Sequence, residues 1–124
     1  MTWTQHELDA IGGADELQIA SLRKDGTLRR YVTIWVVRAE QDIYIRSAYG
    51  KDNPWFVRAL GSGAGRIRAG GLERDVTFER PAEDVRAAVD AAYHAKYDRY
   101  GQAMVGTVTG PDAGETTLRV APRA

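Results

Sequence analysis

The densest group of side chains that could do chemistry lies in residues 46–58. Asn53-Pro54 is typical of a helix start, because Asn caps the first turn and Pro needs no backbone hydrogen bond there. Unpaired N–H groups at such a start, with Arg58 one turn further on, predict a small anion site. The loop before it carries Ser47, Tyr49, Gly50 and Lys51. The same residues are also typical of a capped helix that binds no ligand and packs its aromatic side chains in the core.

Two tryptophans near this stretch have the shape to stack on a flat ring. Trp55 follows the helix start, and Trp35 lies in a run rich in β-branched and aromatic residues. That run predicts a strand over residues 29–38, with Thr33 and Trp35 on the same face. Such a strand either lines a groove for a planar ligand or is a central strand buried on both faces.

Motifs of established catalytic chemistry are absent from the sequence. There is no G-x-S-x-G nucleophile motif, no H-E-x-x-H zinc motif and no phosphate-binding P-loop. The glycine-rich run 61–65 follows a predicted helix rather than a strand, which indicates a helix stop. The chain has no cysteine and two histidines, so disulfides, thiolate chemistry and a cysteine-based metal site are excluded.

Charge and hydropathy narrow the class of protein further. Seventeen basic and seventeen acidic residues leave no net charge, which argues against a general nucleic-acid binder. Residues 21–80 nevertheless carry twelve bases and seven acids, a local excess that suits a small anionic ligand. No apolar run approaches the ~18 residues of a membrane span. No charged segment precedes an apolar stretch at the N-terminus, so we expect no secretory leader. We therefore expect a single domain over residues 1–124, located in the cytoplasm, with neither nucleic acid nor membrane as a partner.

The predicted elements alternate mostly between short strands and tight turns. The strands are expected at 17–22, 29–38, 42–47, 66–69, 72–79 and 116–121, the first three forming an antiparallel meander. A short helix follows the capping box Thr4–Glu7, a second covers 54–61, and Pro81 opens the longest one. Residues 106–115 are predicted to be loop. Six short strands with glycine-rich corners favour a closed or nearly closed barrel, since closure removes exposed edges.

Arg66 and Arg68 alternate with an apolar residue on one predicted strand. Either they clamp a phosphate, or they pair with Glu73, Asp75 or Glu79 across the Gly70-Gly71 hairpin. A separate cluster of Tyr93, Tyr97 and Tyr100 at the end of the long helix predicts packing or a dimer contact.

Several segments resemble the flavin- and deazaflavin-binding split-barrel proteins, which include the pyridoxamine-phosphate-oxidase-like branch. They are Thr-Ile-Trp-Val-Val-Arg38, Ile-Tyr-Ile-Arg-Ser47, Asn-Pro-Trp-Phe56 and Gly65-Arg-Ile-Arg68. Over nearly the whole chain, including Thr-Leu-Arg-Arg30 and Ala-Lys-Tyr97, the sequence resembles the bacterial family called domain of unknown function number 2255. The resemblance implies an α+β, mainly β fold: a six-stranded antiparallel split β-barrel with two to three flanking helices. It also implies a homodimer with FMN or the deazaflavin coenzyme in a groove at its interface.

Carried over position by position, the resemblance nominates a set of cofactor-binding residues. They are Thr33, Trp35, Ser47, Gly50, Lys51, Asn53, Trp55 and Arg58. The two tryptophans would contact the ring, and Lys51, Arg58 and the helix start would hold the phosphate. Tyr49 or a water molecule would protonate the substrate. The sequence differs from the pyridoxamine-phosphate oxidase branch at the phosphate site. The Arg and Lys pairs that hold the FMN phosphate in that branch have no clear counterpart in this chain.

Two functions follow as hypotheses. The first is an oxidoreductase that uses FMN or the deazaflavin coenzyme for hydride transfer to a small organic substrate. The second is a split barrel without a cofactor, which binds a small ligand or a protein. The loop 47–53 discriminates between them, since a loop or a tryptophan that fills the groove would exclude a ring. An RNA-binding barrel that uses Arg29, Arg30, Arg66 and Arg68 is disfavoured by the zero net charge.

Overall fold

A single antiparallel sheet dominates the computed structural model, which describes residues 2–123. Within these residues the sheet has seven strands in the order β2-β1-β5-β6-β7-β4-β3. The strands are β1 Leu17–Ser21, β2 Val32–Ile34, β3 Val37–Ala39, β4 Asp42–Ile45, β5 Ala64–Ala69, β6 Leu72–Glu79 and β7 Leu118–Pro122. The fold is therefore α+β and mainly β, as predicted, but the predicted count of six strands is wrong.

The extra strand arises because the predicted strand over residues 29–38 is interrupted at Trp35 and Val36. β2 pairs with β1, whereas β3 pairs with β4, so the two pieces form opposite edges of the sheet. The link between Ile34 and Val37 spans at most about 11 Å. The sheet must therefore curl until its two edges lie close together, which produces a half-barrel.

Side chains from a distant helix explain the interruption. The Val36 backbone N–H donates to the Tyr97 hydroxyl at 3.2 Å, and the Val36 carbonyl accepts from Lys96 Nζ at 2.7 Å. These bonds take the place of the ladder bonds that a continuous strand would make. Because partners sixty residues away create the break, the local sequence continues to favour a strand through it.

Five α-helices accompany the sheet in the described residues, where two to three were predicted. They are α1 Gln5–Gly13, α2 Pro54–Ser62, α3 Arg86–Tyr97, α4 Gln102–Val105 and α5 Pro111–Gly114, with short 3₁₀ turns at Glu83–Val85 and Asp98–Tyr100. The two additional helices are single turns, each preceded by a glycine with positive φ. A single turn carries no apolar periodicity, so sequence patterns cannot reveal it.

Other local predictions are confirmed. The capping box of α1 forms in both directions, with Thr4 and Glu7 exchanging hydrogen bonds of 2.9 and 3.1 Å. The hairpin β5–β6 turns at Gly70-Gly71. Across it, Arg66 pairs with Asp75 at 2.8 Å and Arg68 with Glu73 at 2.6 Å.

Two apolar clusters hold these elements together. The larger fills the inside of the curled sheet, between its strands, α1 and α2. The smaller lies between α3 and the strands β3 and β4 and contains Tyr93 and Tyr97. Trp55 belongs to the first cluster, and Trp35 packs against the second. The space between the two clusters is where a ligand site can form. Within residues 2–123, no helix is long and apolar enough to cross a membrane.

Candidate functional site

A cavity of about 320 Å³ opens between the two apolar clusters. It lies among β2, the loop after β4, the start of α2 and the segment around α4. Its lining is Val32, Thr33, Ile34, Trp35, Arg46, Ala48, Tyr49, Asn53, Trp55, Met104, Thr107 and Val108. Five of the residues nominated from the sequence are therefore brought together here: Thr33, Trp35, Tyr49, Asn53 and Trp55.

Trp35 forms one wall of this cavity and is held firmly. Its indole stacks on Tyr97, with ring centroids 4.0 Å apart and planes 2° from parallel, and Tyr100 lies 5.6 Å away. The Tyr97 hydroxyl is itself bound, because it accepts from the Val36 N–H and donates to the Asp15 carbonyl at 2.7 Å. Burial raises the pKa of Tyr97 to about 12, so the hydroxyl keeps its proton at neutral pH. Tyr97 thus positions the Trp35 wall of the cavity. The sequence predicted that Tyr97 packs within an aromatic cluster, but not that it supports this wall.

Trp55 forms another wall and is also a core residue. Its ring is 8% exposed and meets Phe56 edge to face at 6.0 Å. The aromatic pair follows Pro54 at the start of α2, so the rigid first turn of the helix sets the position of the indole. Trp55 thus packs in the core, as one interpretation of the sequence predicted, and it also lines the cavity, while its stacking on a ligand ring stays a prediction.

Arg46 is a site residue that sequence reasoning missed. Its side chain is buried and forms an ion pair with Asp90, and its guanidinium donates to Thr117 Oγ1, the Val108 carbonyl and the Arg86 carbonyl. These bonds join β4, α3 and the segment before β7 behind the cavity. A charged residue that directly follows the run Ile43-Tyr44-Ile45 was the available signal. The charge is satisfied internally, so Arg46 supports the cavity and is not a free anion receptor.

The loop after β4 holds two nominated residues in a different role. Ser47 Oγ donates to the Gly50 carbonyl at 2.6 Å, which closes the turn at Gly50, where φ is +90°. Ser47 and Gly50 line a neighbouring cavity of about 300 Å³, which shares Ala48 and Thr107 with the first. This turn leaves the main cavity open.

The cations predicted to hold a phosphate do not converge at the helix start. Lys51 is exposed and lies outside the cavity lining, and Arg58 is exposed and lines a different groove together with Arg29. Asn53 occupies the N-cap position of α2, but its side chain makes no capping hydrogen bond there. Its amide group is consequently available to the cavity that it lines.

Tyr49 stands at the mouth of the cavity and is 82% exposed. Two apolar side chains share the rim, Val32 at 37% and Met104 at 53% exposure. A phenolic hydroxyl in this position can meet a molecule that enters from solvent.

A family model described as "Uncharacterized protein conserved in bacteria (DUF2255)" matches residues 7–120. The chain belongs to this family. No curated protein matches its sequence. The match confirms the family resemblance that the sequence segments of this DUF2255 protein indicated.

Solved structures show that the DUF2255 fold is that of the split-barrel proteins. A Listeria innocua protein assigned as a pyridoxamine 5'-phosphate oxidase has a TM-score of 0.65 at 13% identity, covering 94% of this chain and 90% of that one. An F420 reductase has a TM-score of 0.60 at 16% identity, covering 94% and 93%. An FAD-binding protein from Mesorhizobium loti has a TM-score of 0.54 at 14% identity, covering 100% and 93%.

Proposed function

We propose that the cavity binds the ring of a flavin or deazaflavin cofactor, FMN or the deazaflavin coenzyme, and that the DUF2255 protein is an oxidoreductase. The observation that carries the proposal is an open, mainly apolar cavity walled by two tryptophans that the fold holds in place. Similar folds that are named for F420 reduction and FAD binding support it. We place the protein in the cytoplasm, acting on a small organic substrate.

The residues present fit such a ring. Ligand cavities are mostly apolar and usually measure about 300–1,000 Å³. At about 320 Å³ this cavity lies at the lower end of that range, with room for a flat ring but not for a long side chain as well. The loop 47–53 leaves the cavity open, and the two tryptophans line it without filling it. These features favour the cofactor over the cofactor-free alternative.

The chain's own residues would bind and orient the ring and control its access to water. Bound, the cofactor would supply hydride transfer, which needs no nucleophile from the protein. Trp35 and Trp55 would contact the ring faces or edges, while Thr33 and Asn53 offer polar groups to its heteroatoms. Tyr49 would hold a proton on its phenolic oxygen for the substrate at the mouth.

Titration of the pure protein with FMN, and separately with the deazaflavin coenzyme, tests the proposal. We expect micromolar binding of one of them, seen as a change in its visible absorbance and fluorescence. Thr33→Trp should abolish that binding, because a large ring on an exposed strand position would fill the cavity. Ala91→Trp, at an exposed position on α3, is the matched control and should bind normally. If neither cofactor binds at high concentration, the oxidoreductase proposal is wrong and the cofactor-free module remains.

A further inference from the structure

A second feature, here called the basic groove, lies between the loop after β1 and the helix α2. It has a volume of about 530 Å³ and is lined by Leu22, Arg23, Lys24, Gly26, Arg29, Arg58, Gly61 and Ser62. Four of these residues are cationic, and no acidic residue belongs to the lining. The groove therefore concentrates positive charge on a chain whose net charge is zero.

The cations of this groove lack the partners that arginines have elsewhere in the sheet. Arg66, Arg68 and Arg119 each pair with a carboxylate. Among residues 2–123, neither the four groove cations nor the adjacent Arg30 form an ion pair. Uncompensated like charges held close together repel each other, and a bound anion would relieve that repulsion.

The nearby acid is already engaged. Asp25 lies in the same loop, and its carboxylate accepts hydrogen bonds from the Thr27 hydroxyl at 2.6 Å and the Thr27 N–H at 3.0 Å. The hydroxyl bond is the main reason that the pKa of Asp25 lies below its usual value. Asp25 thus serves its own turn. Arg23 belongs to the same turn, because it donates to Thr27 Oγ1 at 3.3 Å and to the Leu28 carbonyl at 2.7 Å. Lys24, Arg29 and Arg58 are the groove cations that remain available.

Arg29 gives an independent sign of a missing partner. Its Nε atom is buried and has no hydrogen-bond partner among the described residues. A buried unpaired donor costs free energy, more so when it belongs to a charged group. An anion seated between Arg29 and Arg58 would supply the acceptor.

The groove and the cavity both border one small pocket, here called the neck. It has a volume of about 10 Å³ and is lined by Ile19, Ser21, Arg29, Arg30, Val32, Trp55 and Arg58. It shares Val32 and Trp55 with the cavity, and Arg29 and Arg58 with the groove. Arg30 and Arg58 are exposed, so rotation of these long side chains can widen the neck. At about 10 Å³ the neck has room for no more than one water molecule, so a ligand tail that passes Trp55 to the cations requires these side chains to move.

We propose that the basic groove binds the phosphate or pyrophosphate tail of the ligand whose ring occupies the cavity. This inference rests on the proposed function and deepens it, because it names a phosphorylated flavin-type molecule rather than the free ring compound. It assigns the anion to Arg29 and Arg58, with Arg30, Arg23 and Lys24 around them. Because the cavity has room for the ring alone, the tail would lie outside it. The neck beside Trp55 borders Arg29 and Arg58, whereas the lining of the neighbouring cavity of about 300 Å³ contains no cation.

Comparison of FMN with riboflavin isolates the tail, since the two differ only in the phosphate. We expect FMN to bind at least about tenfold more tightly, because charge-assisted bonds to arginine are strong. Arg58→Gln and Arg29→Gln should each reduce that preference to below about threefold and leave riboflavin binding unchanged. Arg80→Gln, which removes an exposed arginine outside the groove, is the control and should keep the preference.

Each other outcome has a definite meaning. Equal binding of FMN and riboflavin overturns the inference and leaves the proposed function standing. Loss of the preference in Lys51→Gln, but not in Arg58→Gln, also overturns it, because the phosphate would then lie at the helix start. If neither a flavin nor the deazaflavin coenzyme binds, the proposed function fails and inorganic pyrophosphate becomes the probe. A rise in Tm with pyrophosphate that Arg58→Gln abolishes would still support the anion site, and no rise would refute it.

Discussion

Lys96 is a residue whose charge is disfavoured by its surroundings. Its Nζ donates to the Val36 carbonyl at 2.7 Å and lies 5.1 Å from the Tyr97 ring centroid. Burial lowers its pKa to about 8, with Asp15 opposing and Arg99 reinforcing the shift. Lys96 helps to hold the backbone where the strand is interrupted beside Trp35. Its protonation state therefore affects the cavity wall that Trp35 forms.

This lowered pKa predicts a pH-dependent stability. The unfolded chain keeps the lysine proton up to pH ~10.4, whereas the folded chain releases it near pH 8. Between these values the unfolded state binds more protons, so stability rises with pH. Relative to Lys96→Met, the free energy of unfolding of the wild type should increase by about 1–2 kcal/mol between pH 7 and pH 9.5. Urea unfolding of both proteins measures this, and a difference that stays constant with pH would contradict it.

At the scale of elements, the pairing of β1 with β5 depends on the absence of a side chain. A Cβ at Gly65 would lie 2.1 Å from the Ala20 carbonyl oxygen and 2.9 Å from the Ser21 Cα. Both contacts are with backbone, which cannot move without separating the strands. Since β5 is the inner neighbour of β1 and β6, this glycine is required at the centre of the sheet.

Gly65→Ala should therefore destabilise the protein, by about 3 kcal/mol, the upper end of the usual cost of overpacking. Gly13→Ala is the matched control, because a Cβ there has no atom within 4 Å, and it should be neutral or slightly stabilising. Urea unfolding followed by tryptophan fluorescence gives both values. Equal stabilities of the two variants would show that the strands yield to the added methyl group.

At the scale of the whole molecule, apolar side chains are exposed around the cavity mouth and on α2. They are Val32, Tyr49, Val57, Leu60 and Met104. Three of these five line the cavity, so a second copy that covered them would also complete the site. The split-barrel resemblance implies such a homodimer, with the groove at its interface.

We predict that the protein sediments with twice the chain mass of 13.7 kDa. Met104→Glu should convert it to a monomer and weaken FMN binding, because a charge would be buried at the interface. Ala91→Glu, exposed on α3, should remain dimeric. Analytical ultracentrifugation decides the matter, and a wild-type protein that stays monomeric at every concentration would contradict the prediction.

Local signals predicted much of the fold and part of the site. The capping box at Thr4, the hairpin at Gly70-Gly71 and the helix after Asn53 each depend on neighbours in the sequence, and all three formed. The same signals nominated the two tryptophans of the cavity. The local signals grouped Lys51 and Arg58 at one phosphate site because the two residues are close in sequence. In the structure they lie on different surfaces, and Arg58 lines the basic groove rather than the cavity.

The sequence by itself determined the strand-rich class, the antiparallel neighbours and the aromatic residues available for a ring, since propensity and periodicity act over a few residues. Only the tertiary structure decided where the strand breaks, because Tyr97 and Lys96 bond to Val36 from sixty residues away. It likewise decided that Arg46 is buried in the wall of the cavity, and that Arg29 and Arg58 line one groove. Burial and charge convergence depend on contacts between distant segments, which no local pattern records.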